Sequence, residues 1–198
     1  YPVPDGVDLE IGGTVEDQGD AFSDLGVLFI LIVILVYIVM ATQFESLLFP
    51  FIIMFTIPFA FTGVFLALWM TSTPLSLIAL IGAIMLVGIV TKNGIVMVDY
   101  MNLLVERGSG VFDAVIAGGK SRLRPVLMTS FTTILGMLPL AIGTGAGSET
   151  WQPMGIAVIG GLTFSTILTL FIVPVLYSIL VNRSQRKEKE KLARLAAA

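Results

Sequence analysis

One lysine, Lys92, lies inside a run of otherwise uncharged residues, Gly88-Ile89-Val90-Thr91-Lys92-Asn93-Gly94. An ammonium group among apolar side chains is costly, and ionisable residues in such runs usually face a partner or a water-filled path. Asn93 places a second polar group beside it. A second polar set follows at Thr129, Ser130, Thr132 and Thr133, of which Thr129, Thr132 and Thr133 share one face at helical spacing. A hydroxyl facing an ammonium group can relay a proton. Each set also has a plainer reading. Lys92 can snorkel to an interface, with Asp99 seven residues on as a same-face neighbour. The hydroxyls can bond their own backbone or a neighbouring helix, which is the simpler reading of Thr132 and Thr133. Arg122 and Arg124 stand just before Pro125, a residue suited to a helix start. Their simplest role is to anchor topology.

Other chemistries are excluded by composition. With no cysteine there is no disulfide frame and no thiolate nucleophile or ligand. With no histidine, a Ser-His-Asp triad and a His-based zinc or haem site are impossible. Gly143, Gly145 and Gly147 lack the Lys-Ser/Thr of a phosphate-binding loop. No cofactor, metal site or nucleic-acid partner is expected. A Schiff-base pigment built on Lys92 would lack a carboxylate on another span.

The elements that carry these residues must sit in lipid. Of the 198 residues, 56% are apolar and 13% charged, and mean hydropathy is +0.97. A soluble domain of this size carries about 25% charge and cannot hide so much apolar surface. Uncharged stretches run over 25–44, 46–91, 125–148 and 150–182. A bilayer core needs about 20 residues of helix. The second stretch is therefore two spans, divided at Thr71-Ser72-Thr73-Pro74. Five transmembrane helices are predicted, over 26–42, 50–70, 75–99, 124–143 and 153–181, making an all-α polytopic bundle. A β-barrel would need short alternating segments, and these runs do not alternate. Lys92 then lies about 25 Å down the third helix.

Basic residues orient the bundle. Apart from Lys92 they fall only in the 100–123 connection, at Arg124 on its border with the fourth span, and in the 182–198 tail. Five crossings put those segments on one side, which the positive-inside rule makes cytoplasmic. The 1–25 segment carries Asp5, Asp8, Glu10, Glu16, Asp17, Asp20 and Asp24 but no basic residue, and belongs outside with the 71–75 and 144–152 loops. An outside N-terminal end with no signal peptide leads us to expect a larger polypeptide upstream. Gly6–Glu16 alternates enough to be a strand leaving an external domain. The Arg183–Arg194 run is expected to be a solvated or membrane-surface helix, with attraction to anionic lipid as the alternative. No carboxylate in the five spans lies at the depth of Lys92, so a charged Lys92 needs a partner from outside these residues.

Ordered strings over all five spans resemble the resistance-nodulation-division (RND) efflux pumps, in their hydrophobe/amphiphile, AcrB-like class. They are Ala41-Thr42-Gln43-Phe44-Glu45-Ser46, Thr73-Pro74-Leu75-Ser76-Leu77, Gly88–Ile95, Arg122-Leu123-Arg124-Pro125-Val126-Leu127-Met128-Thr129-Ser130, Gly143–Ser148 and Phe171-Ile172-Val173-Pro174. The resemblance implies the second half of an RND transmembrane domain, helices eight to twelve of twelve. It implies a drug/proton antiporter rather than an enzyme, trimeric, in the inner membrane of Gram-negative bacteria, joined to a periplasmic adaptor and an outer-membrane channel. Lys92 then corresponds to the relay lysine, Thr129 to the relay threonine and Arg122 to an arginine important to proton passage, with Asn93 beside the relay. The two relay aspartates, on helix four, and the porter and docking domains would lie in the remainder of the protomer. A heavy-metal or protein-export branch of the family, or a non-transporting membrane scaffold or truncated subunit, is the alternative.

Overall fold

Apolar runs surrounded by lipid must close their own backbone hydrogen bonds. In the computed structural model they do so as six helices. It describes residues 14–143, 145 and 147–196, with side chains described from 17 to 183 save 144 and 146. The order is α1 Thr14–Phe44, α2 Leu48–Met54, α3 Ile57–Met70, α4 Leu77–Glu106, α5 Val111–Ile142 and α6 Ser148–Ala196. Five apolar crossings result, because α2 and α3 form one, Leu48–Met70. No strand occurs among the described residues. The fold is thus the all-α membrane bundle the composition demands.

Several boundaries differ from the hydropathy reading. The strand expected over Gly6–Glu16 falls mostly on residues 6–13, outside the described residues, while Thr14 to Glu16 are already helical. Asp17 and Asp20 follow within the opening turns of α1, where a helix end favours carboxylates. The second crossing is broken at Phe55–Thr56, because Pro58 has no N–H to offer the helical ladder. The Thr56 hydroxyl closes the break by donating to the Ile53 carbonyl at 2.6 Å. Ser76 caps α4, accepting from the Ala79 amide at 3.2 Å. That helix runs on past Asp99 until Gly108, at φ +91°, turns the chain in a conformation glycine adopts freely.

The expected 100–123 connection is helical except around Arg107–Gly110, so α5 starts at Val111 rather than 124. Pro125 is therefore inside α5, not in its first turn. The bond it cannot make would go to the carbonyl of Ser121, an exposed residue, and this position tolerates the loss.

The α6 helix is the hub, packing on α3, α4 and α5. Its partners divide by depth. Ala60, Val64, Ala79, Leu86 and Leu162 form one apolar cluster. Met40, Ile53, Met97, Met101 and Tyr177 form the other, nearer the Arg107–Gly110 turn. Between α5 and α6, Ser130 and Thr166 share a buried hydrogen bond of 2.9 Å. Ser130→Ala leaves the Thr166 hydroxyl stranded, and a loss of about 1 kcal/mol is expected by reversible unfolding in mixed micelles. An unchanged unfolding free energy would show the bond to be idle.

Burial is uneven. Within the best crossing window of each helix, 56% of α4 is buried but only 6% of α1 and 11% of α5. Ile30, Leu31, Ile34, Leu35 and Ile38 on α1 and Met128, Phe131 and Leu135 on α5 are exposed. Lipid or further protein must cover them.

Candidate functional site

Of the polar residues singled out above, Lys92, Thr129 and Thr132 are exposed on this uncovered surface. Exposed positions of α4 run Ile81, Met85, Gly88, Lys92 and Asp99, a single line at helical spacing. Lys92 therefore points out of the bundle, near the middle of a 30-residue crossing helix. It borders an apolar cleft of about 350 Å³ shared with Leu35, Val36, Val39 and Met40 of α1. Asn93, one residue on, is rotated about 100° round the helix and is buried inside the bundle at 9% exposure. The two neighbours thus serve different environments, and Asn93 does not share the outward face.

On α5 the corresponding line contains Arg122 and Thr129, seven residues or about 10.5 Å apart. Thr129 is exposed, and its hydroxyl donates to the Val126 carbonyl at 3.0 Å. Thr132 and Thr133 do likewise, to Met128 and Thr129 carbonyls at 2.8 and 2.9 Å. These hydroxyls are held by their own helix, the plain reading given to Thr132 and Thr133. Among the described residues no hydrogen bond joins Thr129 to Lys92.

Arg122 is more than an anchor. It is half-buried, and its guanidinium carbon stands 4.6 Å from the centroid of the Tyr100 ring on α4. Its Nε is buried with no hydrogen-bond partner. Arg124, by contrast, is exposed, as an interfacial anchor should be. Sequence reasoning missed Tyr100, which carries no signal of its own. It also passed over the pair of buried Tyr177 and half-buried Asn102, whose phenol donates to the amide oxygen at 3.1 Å. No group of three acidic side chains that could hold a metal ion occurs among the described residues.

The arrangement offers a cation near the middle of α4 and a hydroxyl and a second cation on α5, and among the described residues no carboxylate on the spans lies at the depth of Lys92. It can respond to charge brought by another element, and it can hold a proton at the Lys92 Nζ.

The chain is similar to known proteins along most of its length. Residues 2–181 match the AcrB/AcrD/AcrF family. The chain is 39% identical over 185 residues to the swarming motility protein SwrC of Bacillus subtilis, an alignment covering 93% of the chain and 18% of that protein. It is 38% identical over 186 residues to the cobalt-zinc-cadmium resistance protein CzcA of Cupriavidus metallidurans, covering 94% and 18%. Against the multidrug resistance protein MdtC of Erwinia tasmaniensis it is 46% identical over 144 residues, covering 72% and 14%. The crystal structure of a heavy metal efflux pump superposes with a TM-score of 0.78 at 31% identity, over 91% of the chain and 18% of the pump. The chain spans less than a fifth of the length of each. A family match over residues 2–181, together with extended identity to these transporters' sequences, makes the chain a member of the RND transporter family.

Proposed function

We propose that the chain is part of a proton-driven multidrug efflux pump of the bacterial inner membrane, and that it contributes Lys92 and Thr129 to the proton relay. The observation that carries the reading is the placement of Lys92: a cation at mid-membrane, on a face of α4 that the described helices leave open. Such a group calls for a partner or a water-filled path, and a counter-charge is the partner that proton occupancy can switch. The helix-four aspartates of a first half of the protomer would supply it. Two unit charges 4 Å apart attract by about 4 kcal/mol at an effective dielectric of 20. Protonating one carboxylate weakens that hold, and Lys92 turns toward Thr129. Packed helices then have two arrangements, selected by proton occupancy.

In this scheme Arg122 sets the potential on the cytoplasmic side. Asn93, buried behind the relay, fixes the α4 packing that aims Lys92 outward. The Thr71–Ser76 turn faces the periplasm and the Arg107–Gly110 turn the cytoplasm. Porter and docking domains, a homotrimer, a periplasmic adaptor and an outer-membrane channel complete the machine, and drug choice rests with those parts.

The likeness to MdtC supports a drug as cargo. A second reading, a metal ion as cargo, is supported by the likeness to CzcA and to the heavy metal efflux pump. The two separate in proteoliposomes of the whole protein under an imposed pH gradient. A fluorescent amphiphilic cation is expected to move against proton flow, while Zn²⁺ does not. Zn²⁺ movement alone would establish the second reading, and movement of neither would refute a proton-driven pump.

A further inference from the structure

Arg122 poses a problem that the relay scheme leaves open. Its Nε is buried and has no hydrogen-bond partner among the described residues. The group placed against it is the face of Tyr100, with the guanidinium carbon 4.6 Å from the ring centroid. A guanidinium within about 6 Å of an aromatic centroid is attracted by the ring quadrupole, more strongly when desolvated. The planar guanidinium also stacks well on such a face.

We propose that Tyr100 is a positioning residue: its ring holds the Arg122 guanidinium at the cytoplasmic mouth of the relay. The proposal rests on the reading of Arg122 given above and names what fixes it. Tyr100 is eight residues beyond Lys92 on α4, about 12 Å toward the Arg107–Gly110 turn. The α4 and α5 helices pack against each other, and the stack is a tie between them at this depth. An aromatic face suits the task because it holds the cation without neutralising it. A carboxylate would cancel the charge that Arg122 presents to a departing proton. Asp99, adjacent in sequence, is exposed and forms no ion pair among the described residues, so the tie is not electrostatic pairing by another route.

The hydroxyl of Tyr100 has no part in this, which separates the proposal from a general structural role. In the whole protein, Tyr100→Phe and Tyr100→Trp are expected to retain pH-gradient-driven efflux. Tyr100→Leu, similar in bulk but lacking a π face, is expected to lose roughly tenfold in rate. Selective ¹⁵N labelling of arginine, with Arg122→Lys to assign the signal, reads the contact directly. The ring shifts the Arg122 Nε proton upfield in wild type and Tyr100→Phe, and the shift disappears in Tyr100→Leu. The spectrum decides even where Tyr100→Leu proves too unstable for transport work, because Tyr100→Phe and wild type must both carry the shift. An unshifted Nε proton in wild type, equal loss of efflux in Phe and Leu variants, or full efflux in Tyr100→Leu would each overturn the proposal. Full efflux in Arg122→Ala would instead sink the role assigned to Arg122, while the spectrum would still judge the stack.

Discussion

Lys92→Met abolishes proton-coupled export while the chain still folds: this is the first expected result. The side chain is exposed in the middle of α4 and is not a strut of either apolar cluster. A cation at the centre of a membrane helix costs about 2.5–3.5 kcal/mol on insertion scales. In the isolated chain, the methionine variant should therefore unfold at the same temperature as wild type or a higher one. In the proposed relay of the whole protein, it would remove the charge whose attraction to an aspartate changes on protonation. An attraction of about 4 kcal/mol between unit charges 4 Å apart is ample to make a hundredfold difference in rate, since each ~1.4 kcal/mol is a factor of ten. Efflux should fall to background, at least about a hundredfold. Normal efflux with Met at this position would remove the relay assignment altogether.

The second large effect is structural. Gly160→Leu should cost more than about 3 kcal/mol, the upper end of ordinary overpacking, because the short, rigid Ala67 side chain and the Gly63 backbone block the space. A Cβ at Gly160 would meet the Ala67 side chain and stand 2.9 Å from the Gly63 carbonyl oxygen. Reciprocally, a Cβ at Gly63 would stand 2.8 Å from the Gly160 carbonyl oxygen. Small residues permit this approach of α3 to α6, as they do wherever membrane helices pack closely. Gly119→Ala is the matched control. A Cβ there has nothing within 4 Å, so the variant should hold or gain up to about 1 kcal/mol of helix propensity. Loss of resistance to detergent unfolding in Gly160→Leu but not in Gly119→Ala checks the point. Equal stability of the two would mean that the α3–α6 contact is looser than the structure has it.

These effects differ in how far the sequence announced them. Lys92 stood out because a single charge interrupts a long apolar run, and charge is legible without tertiary structure. The turn at Thr71–Ser76 was legible for the same reason: polar residues and Pro74 break a stretch too long for one crossing. Direction was not legible. Lys92 points outward and Asn93 inward, and Thr129 outward and Ser130 inward. In lipid both faces of a helix are apolar, so hydropathy gives little periodic signal to tell the two sides apart. Helix length was hidden too. The Val111 to Leu123 segment is helical although it carries Asp113, Lys120 and Arg122, since a helix does not end where the membrane does. Pro58 could have signalled the break between α2 and α3, but the uncharged run around it reads as one crossing. The stack of Arg122 on Tyr100 depends on the register of α4 against α5, which no local pattern encodes.

The central claim concerns what stands opposite one nitrogen. A high-resolution structure of the whole protein in a lipid nanodisc, at a pH where carboxylates are ionised, reads it directly. The account predicts the Lys92 Nζ within about 4 Å of a carboxylate oxygen, a close ion-pair separation, with that carboxylate carried by a segment outside these 198 residues. A Lys92 side chain extended into lipid headgroups, with no acidic group from another helix beside it, would contradict it.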